Sequence, residues 1–282
     1  MNIKARLILM NFLQFAVWGA YLTSMGTYLA GIGLGNHIGI FYAMQGIVSL
    51  FMPAIMGIIA DRWVPAQRLL GICHLLAALF MGGAGYYGTV SGNAVSFEVL
   101  FAFYSVSVAF YMPTLALSNS VAYSALDQAG LDTIKAFPPI RTFGTIGFIC
   151  SMWLVDLLGF QATPNQFFTC AAWGVLLALY ANTLPECPTS GGGQEKKSFV
   201  EALGLKAFLL FKQRKMAVFF IFSMLLGVSL QITNGFANPF ITSFSVIPEY
   251  ANTFGVQHAN LLISLSQISE TCCILLIPFF LG

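Results

Sequence analysis

Residues Asn260–Gly282 read NLLISLSQISETCCILLIPFFLG. The stretch is long enough to cross a bilayer, which takes about 20 apolar residues in a helix. Glu270 nevertheless sits near its middle, and Gln267 precedes it by three residues, so both side chains project from one helical face. A charge at that depth costs at least about 2.5–3.5 kcal/mol on insertion scales. Such a group faces a protein interior or a water-filled cavity. Two readings follow: a polar contact between helices, or a solute or proton site.

The rest of the chain has the same character. Of 282 residues, 58% are hydrophobic and 8% charged, with a mean hydropathy of +0.82. A soluble domain carries roughly 25% charged residues, so the chain reads as an all-α integral membrane protein. Its 27 glycines and 15% aromatic content suit closely packed membrane helices. Five cysteines (Cys73, Cys150, Cys170, Cys272 and Cys273) lie in apolar runs without metal-ligand or disulfide spacing, and read as small apolar fillers. No metal site is expected. Lys4 and Arg6 precede a long apolar run that reads as an uncleaved first span.

Between the charges fall eight segments of membrane length, near 7–30, 38–60, 69–90, 97–121, 138–160, 165–184, 215–240 and 258–281. Lys4, Arg6, Arg62, Arg68, Lys135 and the cluster from Lys196 to Lys215 all fall on one side of these spans. The loops near 31–37, 91–96, 161–164 and 241–257 contain no Lys or Arg. The positive side is the cytoplasm, and an even number of spans places both termini there. Arg141 alone among the basic residues lies inside a span.

Residues 185–214 form the one long soluble piece, beginning with the Gly-, Ser- and Pro-rich PECPTSGGGQEKK. Phe199–Phe211 is amphipathic and is expected to lie along the membrane surface. The KQRK run at 212–215 reads as a positive-inside anchor; a nucleic-acid patch is the alternative, and no nucleic-acid partner is expected. The layout predicts a six-helix bundle at 1–184, a cytoplasmic linker at 185–214, and two helices of a second, incomplete bundle at 215–282.

Four motifs carry chemistry. After the second span stands GIIADRW, in which Gly57 permits close packing and Asp61 and Arg62 occupy the cytoplasmic edge, placed for a pairing that breaks during a conformational change. FPPIRTFGTIGF (137–148) opens the fifth span with Pro138 and Pro139, residues that suit a helix start. Arg141, Thr145 and Phe148 then share one face. Arg141 needs a counter-ion or water, or else snorkels to the membrane edge. SLQITNGFANPF (229–240) places Gln231 and Asn234 three apart, beside Gly235 and Pro239, which suggest an irregular helix at a cavity. With Gln267 and Glu270, three helices each present one polar stripe. Their donors and acceptors suit a neutral solute rich in hydroxyls or amides, and Phe148 suits a planar ring.

The GIIADRW segment resembles the Gly-x-x-x-Asp-Arg loop signature of the major facilitator superfamily. FLQFAVWG (12–19), FYMPTL (110–115), FPPIR-x-x-GTIGF, FFIFSMLLG-x-x-LQITN and SLSQISE (264–270) closely resemble the bacterial nucleoside:proton symporter family of NupG-type nucleoside permeases, over essentially the whole chain. The resemblance implies a major-facilitator helical bundle working as a monomer in the inner membrane. It implies nucleoside uptake driven by protons through alternating access, with the proton as coupling ion and no cofactor. It also implies that Arg141, Thr145, Phe148, Gln231, Asn234, Gln267 and Glu270 surround the nucleoside, with Glu270 as candidate proton carrier.

Competing readings are a symporter for another polar solute such as a sugar, or a non-transporting truncated product. An intramembrane enzyme would need a nucleophile–base pair or metal ligands at membrane depth. His74 stands alone on its span, His37 and His258 sit near loops, and no HExxH or GxSxG pattern occurs. No enzymatic activity is expected.

Overall fold

A computed structural model of the chain describes residues 2–189 and 210–281. The helices are α1 (Ile3–Gly19), α2 (Met25–Gly31), α3 (Ile38–Ser49), α4 (Met52–Arg62), α5 (Ala66–Ser91), α6 (Phe97–Gln128), α7 (Thr133–Leu157), α8 (Asn165–Ala181), α9 (Arg214–Ser243), the single turn α10 (Phe254–Gln257) and α11 (Ala259–Leu281). Gly35–Arg62, Ala66–Ser91, Phe97–Gln128, Thr133–Leu157 and Arg214–Val246 are each long and apolar enough to cross a membrane. Every expected span overlaps a helix, and the fold is all-α. Most of the expected amphipathic segment 199–211 lies outside the described residues.

Several local expectations are corrected. The first span is not one helix: it breaks between Gly19 and Met25, where Thr23 and Ser24 turn their hydroxyls to Asn260 (2.9 Å) and Gln166 (3.0 Å). The Tyr42 hydroxyl donates to the Leu22 carbonyl at this break, so a backbone acceptor freed at membrane depth finds a partner inside the protein. The second span also breaks, at Leu50–Phe51, just before Pro53 in the first turn of α4.

In the fifth span Pro138 and Pro139 lie inside α7 rather than at its start. Asp132 caps the helix earlier, accepting the Ile134 N–H (2.9 Å) and the Lys135 N–H (3.4 Å). A side-chain cap satisfies donors that prolines merely lack. Conversely, α9 runs unbroken through Gly235 and Pro239. Gly26 of α2 makes room for them instead, because a Cβ built on it would meet the Gly235 carbonyl at 2.3 Å and the Pro239 ring at 2.8 Å.

The helices α1 and α7 pack backbone to backbone. A Cβ on Gly19 would fall 2.3 Å from the Phe148 carbonyl oxygen, and one on Gly147 would fall 2.1 Å from that of Phe12. On the other flank, Gly71 and Gly174 let α5 and α8 approach. This is the small-residue packing by which helices associate in lipid. From α1 to α8 the helices enclose two apolar clusters, one around Phe41, Tyr104 and Phe167, the other around Leu7, Leu70 and Val121. α9 docks on α2 and α3, and α11 docks on α7.

The glycine contacts give a first prediction. Overpacking a tight site costs about 1–3 kcal/mol, so Gly147→Ala should lower the thermal unfolding midpoint in detergent by several degrees. Gly39→Ala, where a Cβ meets nothing within 4 Å, should leave it unchanged or raised. Equal midpoints for both variants would remove the packing role assigned to Gly147.

Candidate functional site

Spacings of three and four residues aim each polar stripe in one direction, and the helix packing decides what it faces. Arg141, Thr145 and Phe148 of α7, Asn234 of α9, and Gln267 and Glu270 of α11 line one cavity of about 160 Å³. The sequence named all six. Phe15 and Trp18 of α1, Leu22 of the α1–α2 break and Leu230 of α9 complete the lining, and these four were missed. Phe15 and Trp18 are three apart in a stretch rich in apolar residues, where a cavity-facing aromatic cannot be told from a core one.

The aromatic wall is built around the arginine. The guanidinium carbon of Arg141 lies 3.8 Å from the centroid of the Phe15 ring, a cation–π placement. Gly144 makes this possible: a Cβ there would meet the Phe15 ring at 2.6 Å and Arg141 Nη1 at 2.9 Å. Trp18 stands edge-on to Phe148, with centroids 6.4 Å apart and planes at 89°. Its indole N–H donates to Gln45 Oε1 (3.2 Å), and Gln45 Nε2 donates to the Tyr104 hydroxyl (2.8 Å). The indole is therefore held by a buried polar chain. On the opposite wall Asn234, Gln267 and Glu270 present amides and a carboxylate, with Glu270 within electrostatic range of Arg141. The cavity thus joins flat apolar faces to convergent hydrogen-bonding groups, as small-molecule sites do.

Gln231 does not line the cavity. Its Nε2 donates to the Tyr42 carbonyl at 3.3 Å, tying α9 to α3 next to the site. The loop motif also departs from expectation. A Cβ on Gly57 meets nothing within 4 Å, so Gly57 supplies no close packing. Asp61 and Arg62 are exposed and have no ion-pair partner among the described residues. The nearby ion pair is instead Arg68 with Glu186, at 3.3 Å and exposed. His74 is fully buried with Nδ1 2.9 Å from the Leu70 carbonyl, as befits a core histidine. No cluster of three or more His, Cys, Asp or Glu side chains occurs among the described residues.

Residues 1–282 match the family model described as nucleoside H+ symporter. The chain is 45% identical over 285 residues to "Nucleoside permease NupG" of Escherichia coli (strain K12), covering all of this chain and 66% of that protein. It is 46% identical over 286 residues to "Xanthosine permease" of the same organism, again with 66% of the relative covered. It therefore spans just under two thirds of the length of these relatives. The crystal structure of nucleoside transporter NupG (D323A mutant) is similar at a TM-score of 0.88 and 45% identity, covering 99% of this chain and 68% of that one. A second crystal structure of NupG matches at 0.83 and 44% identity, over 100% of this chain and 68% of that one.

Proposed function

The chain belongs to the nucleoside H+ symporter family, and from that premise we propose that this multi-pass membrane protein carries nucleosides together with protons by alternating access. The observation that carries the reading is the convergence of three polar stripes, from α7, α9 and α11, with the aromatic wall of α1 on one cavity. In this reading Phe148, Trp18 and Phe15 offer ring faces and edges to the base. Asn234 and Gln267 supply paired donors and acceptors, Glu270 accepts from ribose hydroxyls, and Arg141 with Thr145 completes the polar wall. Gln231 supports this wall from outside the cavity, its N–H on the Tyr42 carbonyl fastening α9 to α3. The proton is the coupling ion. The reading calls for no cofactor, metal or nucleic acid, and a monomer suffices because one chain lines the cavity.

Direct binding tests the substrate class. Unlabelled uridine and adenosine should displace a radiolabelled nucleoside from the purified protein, whereas a hexose at the same concentration should not. Displacement by the hexose alone would transfer the site to the sugar-carrier reading.

The segregation of basic residues supports an orientation with both termini cytoplasmic, residues 185–214 inside, and the protein in the bacterial inner membrane. Two exposed positions test this. In intact cells an impermeant maleimide should label Asn252→Cys and should spare Gln128→Cys. The reverse pattern would invert the orientation.

A further inference from the structure

Eight residues beyond Phe148 on α7, about 12 Å along the helix axis, lies a carboxylate that the cavity does not use. Asp156 is 3% exposed. Its Oδ1 faces His258 Nδ1 at 2.5 Å, and its Oδ2 accepts the backbone N–H groups of Asn260 (3.0 Å) and Leu261 (3.3 Å). These N–H groups belong to the first turn of α11, which has no acidic residue of its own there. Asp156 therefore caps α11 from another helix. A carboxylate on free N–H groups at a helix start also gains from the helix dipole.

A second set of bonds surrounds this cap. Asn238 of α9 donates to Gln161 Oε1 (2.8 Å) and to Asn260 Oδ1 (2.7 Å). Thr23 donates to the same Asn260 oxygen (2.9 Å), and Thr27 donates to Asn238 Oδ1 (2.6 Å). One turn further into α11, the Trp153 indole donates to Ser264 Oγ at 2.8 Å. Asn238, Asn260 and Thr23 are fully buried. The network ties the α1–α2 break, α2, α7 and the α7–α8 connection to α9 and α11. It lies between the solute cavity and the loops that lack Lys and Arg. It is not saturated, since Asn260 Nδ2 is buried with no acceptor, which leaves a standing cost in the closed arrangement.

We propose that Asp156 is the latch of the outer gate. By capping α11 it seals the cavity on the side away from the Arg68–Glu186 ion pair, and it sets the axial position of Gln267 and Glu270 on the same helix. The proposal rests on the alternating-access reading, in which these bonds must break each time the cavity opens outward. Asp156 acts through α11 and is a positioning residue.

Ser264 reports the state of the latch, since it is 1% exposed and lies one turn inside the cap. The full chain, with its six cysteines replaced and Ser264→Cys added, is placed in sealed vesicles and labelled with an impermeant maleimide from the outer face. Labelling should be slow with Asp156 present and at least tenfold faster with Asp156→Ala. His258→Ala removes one partner and leaves the cap, so it should accelerate labelling less, in the same direction. It also serves as the second variant if Asp156→Ala fails to insert. Exposed Asn252→Cys should label at one rate in all backgrounds. Unchanged Ser264→Cys labelling in every variant that inserts would overturn the latch. Nucleoside binding in the same vesicles keeps the two readings apart: accelerated labelling without nucleoside binding supports the latch and removes the substrate assignment.

Discussion

Replacing Glu270 with Gln is expected to abolish accumulation of nucleoside against its gradient while leaving binding and nucleoside exchange measurable. Gln keeps the shape and much of the hydrogen bonding of Glu but has no proton to release. Glu270 is the carboxylate that lines the cavity, whereas Asp156 is committed to the start of α11. Glu270 lines the cavity within electrostatic range of Arg141. A cavity that opens alternately would present that carboxylate to each side of the membrane in turn, which is what coupling requires. A proton entering with a neutral solute draws about 2.3 kcal/mol from each 100 mV of membrane potential, equivalent to roughly fifty-fold accumulation. That gradient should collapse in Glu270→Gln, measured as radiolabelled uridine retained by energised vesicles, while counterflow exchange persists. Undiminished accumulation would leave Glu270 as a binding residue and move proton coupling elsewhere.

Alanine at Asn234 or Gln267 should weaken nucleoside binding five- to more than a hundredfold. A polar partner left unpaired in a closed site costs about 1–3 kcal/mol, and both amides line the cavity opposite its aromatic wall. Gln231→Ala should show two effects together. It removes the bond to the Tyr42 carbonyl that fastens α9 to α3, and it thereby frees Asn234, three residues on, to shift in the cavity. Its loss of affinity should therefore come with a lower unfolding midpoint, which the cavity-lining pair should not show to the same degree. Calorimetric titration at matched expression measures the affinities. Unchanged affinity in all three variants would reduce these amides to contacts between helices.

The sequence by itself determined the all-α membrane character, the approximate helical segments and the polar faces. All three depend on local regularities: a run of apolar residues long enough for the bilayer, and a helical period that carries Arg141 with Thr145 and Gln267 with Glu270 onto common faces. Pro138 and Pro139 show where local reading failed, because the Asp132 cap six residues upstream outweighed their preference for a first turn. Only the tertiary structure decided that the stripes of α7, α9 and α11 meet. It also decided that Phe15 leaves the ordinary apolar face of α1 to cover Arg141, that Gln231 turns to Tyr42, and that Asp156 caps a helix beginning 103 residues later. The reason is geometric. A helix's own period tells which residues share a side, but which sides face each other depends on close approaches such as Gly147 against the Phe12 carbonyl and Gly26 against that of Gly235. Those contacts join residues far apart in the chain, and no local pattern records them.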